Sequence, residues 1–135
     1  RRIQQEISRA GYSQVNVMGM VACKAAYAHG EAWLEELKAY LKGNLDFVRS
    51  FLREHIPEIR LVEPEGTYLV WLDCRALGLN DKALDELIIQ RAKLWLDGGH
   101  MFGLGGSGFQ RVNIACPRSL LEQAMEQLAA AVASC

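Results

Sequence analysis

The sequence lacks closely spaced cysteines. Four occur among 135 residues, and they are far apart: Cys23, Cys74, Cys116 and Cys135. Disulfide scaffolds have a much higher cysteine density, and zinc or redox sites use close pairs such as C-x-x-C. Neither pattern is present, so we expect free thiols in a reducing cytoplasm.

Long apolar runs and excess charge are also missing. No stretch reaches the roughly 18 consecutive apolar residues of a membrane span, and no signal peptide is recognised. The net charge of −1 provides no basic field for nucleic acid or an anionic membrane. We therefore expect neither as a partner.

No metal-ligand or nucleophile spacing is found. His29, His55 and His100 are isolated in the sequence, and no Ser-His-Asp or Cys-His arrangement can be identified. His29 and His55 follow helical stretches, where a cation favours the helix end. Lys24 could be a desolvated nucleophile, but such lysines usually extend their ammonium to the surface. We assign no catalytic, cofactor-binding or metal-binding residue.

Three helices are predicted in the first half. The sequence has no initiator Met and opens in helix-like residues, so we expect that it was cut from a longer protein. Residues 1–10 predict a short helix or a frayed lead-in. Residues 15–29 are small and apolar, which predicts a buried helix. Residues 31–56 have an apolar stripe with spacings of three and four, which predicts a long helix that Pro57 ends.

The second half changes to a period of two. Residues 59–63 ("IRLVE") and 67–73 ("TYLVWLD") predict an antiparallel pair of strands joined by the turn "PEGT". Residues 93–97 and 109–115 predict two further strands. The tryptophans are expected to be core anchors: Trp33, Trp71 and Trp95.

Two more helices alternate with these strands. Asn80 is the predicted N-cap of a helix over residues 81–92. Pro117 suits the first turn of a final helix, where Ser119 and Glu122 form a capping-box pattern. The order of elements contains no series of βαβ units. It predicts one α+β domain, a small and mostly antiparallel sheet covered by helices.

The stretch "GLGGSG" at positions 103–108 matches G-x-G-x-x-G. A dinucleotide fingerprint needs a helix that opens at the glycines, because its N–H groups hold the phosphates. Here a predicted strand follows instead. We therefore expect no dinucleotide at this loop.

Arg111 lies in the middle of the last predicted strand. Phe109, Arg111 and Asn113 share one strand face by the period of two. A guanidinium among apolar neighbours needs a carboxylate or phosphate partner. Asp73 or Asp97 could provide one internally, or a ligand could. The residues alone leave these alternatives open.

Three stretches resemble one enzyme family. They are "AAYAHGEAWLEELKAYLKGNLDFV", "PEGTYLVWLDCRALGL" and "LDGGHMFGLGGSGFQRVNIACPRSLLEQAMEQL". They are similar to the C-terminal part of class I/II aminotransferase-like, fold-type I enzymes that use pyridoxal 5′-phosphate. The sequence resembles in particular the MalY/PatB group of cystathionine β-lyases.

The resemblance implies which parts of a two-domain enzyme this chain would contain. Residues 1–30 would be lead-in helices from a missing large domain, and residues 31–135 the C-terminal small domain. Arg111 would bind the α-carboxylate of the amino-acid substrate. The Schiff-base lysine and the other cofactor-binding groups would lie upstream, so this chain alone should be inactive and bind no cofactor. The parent would be a homodimeric lyase or aminotransferase. The alternative is a free-standing α+β module that binds a ligand or regulates, without catalysis.

Overall fold

A computed structural model describes residues 2–11 and 15–134 of the chain. It divides into two compact units, Arg1–Lys38 and Ala39–Cys135. The boundary falls within a long helix, α3 (Glu31–His55), that follows α1 (Arg2–Arg9) and α2 (Val17–His29). The three helices predicted in this half of the chain are therefore confirmed.

Every residue of α2 is exposed, so the prediction of a buried helix is wrong. Asn16 caps the helix by accepting the amide of Gly19 at 2.7 Å. Val17 and Met18 remain 67% and 76% exposed. The prediction relied on composition, whereas burial also requires a facing apolar surface. The described elements of the first unit provide none for this helix.

The second unit contains a four-stranded antiparallel sheet. Its strands are β1 (Arg60–Val62), β2 (Leu69–Asp73), β3 (Asp97–Gly98) and β4 (Phe109–Asn113), in the order β1-β2-β4-β3. The antiparallel pairing of the first two strands and the α+β class are confirmed. β2 begins at Leu69, two residues later than predicted, because Thr67 takes a positive φ of 66°.

The strand predicted over residues 93–97 is wrong over most of its length. Only Asp97 and Gly98 pair with β4. Lys93 adopts a left-handed φ of 56°, which interrupts the extended run that alternation would require. Trp95, which follows this interruption, is 87% exposed and contributes nothing to the core.

Two further helices cover one face of the sheet. α4 (Asp81–Glu86) continues as a π-helical turn, Leu87–Arg91, and α5 covers Arg118–Ala133. Asn80 caps α4 as predicted, because its Oδ1 accepts the amide of Ala83 at 2.9 Å. The predicted capping box in α5 does not form. Pro117 is the N-cap, so Ser119 already lies inside the first turn.

The core lies between these helices and one face of the sheet. Val70, Leu72 and Val112 alternate with half-buried residues along β2 and β4 and point into it. Among the described residues, the helices contribute eight larger side chains: Val48, Leu52, Leu84, Leu87, Ile88, Leu121, Met125 and Leu128. Trp33 is 66% exposed, so it is no core anchor, and Trp71 is half-buried on the opposite sheet face.

A buried amide connects α3 to the end of β4. Asn44 is fully buried, and its Nδ2 donates to the carbonyl oxygens of Ile114 and Cys116 at 2.8 and 3.1 Å. Its Oδ1 accepts from Nε of Arg118 at 2.9 Å. Because a buried polar group without partners is costly, this side chain fixes the register of the helix against the strand exit. Within the described residues, no helix is long and apolar enough to cross a membrane.

Candidate substrate-carboxylate site

The sheet face opposite the core carries one row of side chains across all four strands. Val62, Trp71, Arg111 and Asp97 are cross-strand neighbours in the observed register. We call this surface the open face. Alternating side chains of a strand point to opposite faces, so the neighbours of Arg111 in β4, Gln110 and Val112, are buried.

Arg111 is held by a carboxylate and an aromatic ring. Its Nε and Nη2 donate to one oxygen of Asp97, Oδ2, at 3.2 and 2.6 Å. The ring of Phe102 lies 4.5 Å from its guanidinium carbon. Of the two internal partners that the sequence allowed, Asp97 is the one used. Asp73 instead pairs with Arg75.

An apolar recess lies beside the guanidinium on the open face. Its volume is about 310 Å³, and its lining residues are all uncharged: Val62, Trp71, Phe102, Gly105, Gly106 and Phe109. Trp71 and Phe102 meet edge to face with their ring centroids 5.3 Å apart. A ligand carboxylate at Arg111 would therefore have room for an uncharged group next to it.

The glycine loop, residues 99–108, contributes Phe102, Gly105 and Gly106 to the lining of this recess. It contains two 3₁₀ turns, Gly99–Phe102 and Leu104–Gly106, and then enters β4. A strand therefore follows the G-x-G-x-x-G stretch, which removes the helix N-terminus that a dinucleotide phosphate would need. The prediction that a strand follows the glycines is confirmed.

A carboxylate on α4 fastens the end of this loop. Asp81 accepts the Ser107 hydroxyl at 3.1 and 3.0 Å and the Gly108 amide at 2.9 Å. These hydrogen bonds, with the Gly108 amide the largest contributor, hold the pKa of Asp81 below its ordinary 3.8. Gly108 has a φ of 78°, so the loop turns into β4 in a conformation that favours glycine. The contact spans 27 positions, and sequence reasoning did not find it.

The chain matches known proteins over nearly its whole length. The chain is 32% identical over 131 residues to cystathionine β-lyase PatB of Bacillus subtilis, covering 97% of the chain and 34% of that protein. It is 39% identical over 124 residues to protein MalY of Escherichia coli, covering 92% of the chain and 32% of that protein. The chain belongs to the MalY/PatB family. It spans about a third of the length of these relatives. No family model matches it.

Solved structures that contain pyridoxal 5′-phosphate agree with the fold. Cystalysin from Treponema denticola, which contains pyridoxal 5′-phosphate, superposes with a TM-score of 0.87 at 36% identity, over 94% of the chain and 33% of that protein. A pyridoxal-phosphate-bound C–S lyase from Staphylococcus hominis gives a TM-score of 0.81 at 28% identity, over 95% of the chain and 34% of that protein. The resemblance seen in the sequence is confirmed.

The lysines of this MalY/PatB-family chain lie at the surface. A lysine that bonds covalently to pyridoxal phosphate works from a desolvated position. All five lysines are exposed: Lys24, Lys38, Lys42, Lys82 and Lys93. Burial raises the pKa of the Cys74 thiol to about 12, which makes it a poor nucleophile. His29 and His55 are the last residues of α2 and α3, at the helix ends where the sequence placed them.

The Asp81 contact predicts an acid-sensitive loop. Because the pKa of Asp81 is lowered in the folded protein, its stabilisation is complete above the pKa of the unfolded chain. It is lost as the pH falls through the lower folded value. Following the Gly108 amide by NMR from about pH 6 to pH 2 should show the loop loosening before the sheet unfolds. Asp81→Asn should remove this step, and an unchanged Gly108 signal in the unsubstituted chain would contradict the prediction.

The loop also predicts a contrast between neighbouring glycines. A Cβ on Gly106 would overlap the carbonyl oxygen of Gly99, whereas a Cβ on Gly105 would meet nothing within 4 Å. Gly106→Ala should therefore cost about 1–3 kcal/mol, because the backbone must move. Gly105→Ala should stay within about 0.5 kcal/mol of the original chain. Urea unfolding of both variants measures the difference, and equal midpoints would show that the loop does not pack as described.

Proposed function

We propose that this chain is the substrate-binding part of a pyridoxal-phosphate-dependent cystathionine β-lyase or aminotransferase, and that Arg111 binds the substrate's α-carboxylate. The observation that carries the proposal is that one nitrogen of this partly exposed guanidinium has no hydrogen-bond partner among the described residues. Its Nη1 makes no hydrogen bond to any described residue, while the Arg111 side chain is 27% exposed. A carboxylate can therefore reach it.

The shape of the guanidinium supports a two-point contact. Asp97 uses the side edge, formed by Nε and Nη2, through a single oxygen. The end edge retains Nη1 and one proton of Nη2. A carboxylate matches that edge with two parallel hydrogen bonds, which fixes orientation as well as position. Bidentate anchoring of the α-carboxylate would hold an amino acid in one pose for reaction at its α-carbon.

The rest of the catalytic apparatus is proposed to lie in an upstream domain of the parent protein. Two observations support this: the relatives align over their C-terminal third, and all five lysines of this chain are exposed, whereas a covalent anchor works from a desolvated position. When bound, pyridoxal phosphate supplies an electron sink for a carbanion at the substrate α-carbon. We propose residues 1–30 as lead-in helices and residues 31–135 as the small domain. Alone, the chain should bind no cofactor and be inactive.

The names and sequence identities of the relatives decide which activity is assayed first. One relative named cystathionine β-lyase is 32% identical over 97% of the chain. An aspartate aminotransferase from Pyrococcus horikoshii is 25% identical over 86% of the chain. Carbon–sulfur lyase activity is therefore assayed first and transamination second. We propose that the parent acts on amino acids as a homodimer in the cytoplasm.

The test uses the reading frame extended upstream to its natural start. The purified product is incubated with pyridoxal phosphate, reduced with borohydride and digested, and the labelled lysine is mapped by mass spectrometry. A label upstream of Arg1, together with pyruvate release from cystathionine or transamination of an amino acid, supports the proposal. The 135-residue chain treated in parallel is the control and should remain unlabelled. A label on Lys24, or none in either protein, would instead favour a binding module without catalysis.

A further inference from the structure

Asp97 has an unusual position for a residue next to a proposed anion site. It lies in β3, which contains only two residues, and it is the direct cross-strand neighbour of Arg111. Its side chain is 42% exposed, so it faces the same solvent-accessible space that a ligand carboxylate would enter. Two negative groups would then share one guanidinium.

Such a carboxylate can act in two opposite ways. As a competitor, it neutralises the guanidinium and repels a second carboxylate, since like charges a few ångströms apart oppose each other even at the surface. As a support, it removes the rotational freedom of a long side chain before the ligand arrives, which lowers the entropic cost of binding. The geometry decides between these roles.

The hydrogen bonds favour support. Both bonds go to Oδ2 and come from the side edge of Arg111, Nε and Nη2. They leave the end edge directed away from Asp97. Phe102 lies over the guanidinium at 4.5 Å, and Trp71 contacts Phe102 in turn. One edge and one face of the guanidinium are thus fixed, and the edge suited to a bidentate carboxylate is left open.

We propose that Asp97 is a positioning residue that holds Arg111 by its side edge, so that the end edge is preorganised for the substrate carboxylate. This inference rests on the proposed function of Arg111. It predicts that removing the charge of Asp97 weakens carboxylate binding. Simple charge counting predicts the reverse.

The first experiment measures the hold on Arg111 itself. In ¹H–¹⁵N spectra of the 135-residue chain, Asp97→Asn should shift the Arg111 Nε–H signal upfield and accelerate its exchange with water. Asp97→Glu, which keeps the charge, should restore part of both properties. Glu63→Gln is the matched control, because Glu63 accepts from Nε and Nη2 of Arg49 at 2.7 and 2.8 Å. It should change only the Arg49 signal. An Arg111 signal that is unchanged in Asp97→Asn would overturn the inference.

The second experiment measures carboxylate binding. Sodium acetate replaces sodium chloride at constant ionic strength while the Arg111 side-chain signals are followed. Asp97→Asn should bind acetate roughly 3- to 10-fold more weakly than the original chain, because Arg111 must then be ordered on binding. Tighter binding would make Asp97 a competitor, and equal binding would mean that it has no effect on the carboxylate; either result would overturn the inference. If acetate shifts Arg111 in no variant while Asp97→Asn still alters the Nε–H signal, the carboxylate role of Arg111 fails and the hold by Asp97 remains.

Discussion

Replacing Arg111 with alanine should lower kcat/KM of the extended, cofactor-loaded protein by about 100- to 1000-fold, because a charge-assisted, two-point contact with the substrate is lost. Arg111→Lys should restore only part of this, since an ammonium carries the charge but cannot present two parallel donors. Steady-state kinetics with an amino-acid substrate measure both variants.

Arg49→Ala is the matched control for this experiment. Arg49 forms a similar fork with Glu63, but it lies on α3 and not on the strands that carry the open face. Its removal should leave kcat/KM within about twofold, because surface ion pairs contribute little to stability. The role proposed for Arg111 is wrong if Arg111→Ala retains full activity. Circular dichroism of Arg111→Ala checks that any loss of activity does not come from unfolding.

Asn44→Ala should destabilise the chain by about 2–4 kcal/mol, the largest effect that we expect from a change outside the open face. The substitution removes the donor to the carbonyl oxygens of Ile114 and Cys116 and the acceptor for Arg118. Because the site is fully buried, water cannot replace these partners without entering the core. Urea unfolding followed by circular dichroism gives the change in the free energy of unfolding.

Asn113→Ala serves as the comparison. Its Oδ1 accepts the amide of Ala115 at 2.8 Å, but the side chain is exposed, so water can take its place. We expect a loss of less than about 1 kcal/mol. Equal losses in the two variants would mean that the buried amide does not have the structural importance assigned to it.

Local sequence patterns were sufficient to predict the strand of Arg111 and the face of that strand on which it lies. The period of two identified its strand and its face, and the apolar neighbours indicated that it needs an anionic partner. The choice between Asp73 and Asp97 was not available from the sequence, because it depends on the register of β4 against its two neighbours. The role of Arg111 towards a substrate came from the family resemblance and is still a prediction.

Failures of sequence reasoning arose where backbone conformation or long-range contacts decide the outcome. Lys93 breaks a run whose composition suits a strand, because of one left-handed φ angle. The exposure of Trp33 and of α2 depends on which surfaces face them, and amino-acid composition does not contain that information. The bond from Asp81 to Gly108 joins elements that no local motif connects.

The Asn44 hydrogen bonds have a mechanical consequence. They join the second half of α3 directly to the backbone immediately after β4, the strand that carries Arg111. The core side chains of α3 and β4 pack together in the same cluster. The second half of α3 and β4 should therefore move together as one rigid body. A rotation of this part of α3 would then move the Arg111 guanidinium with it, and no loop would have to rearrange.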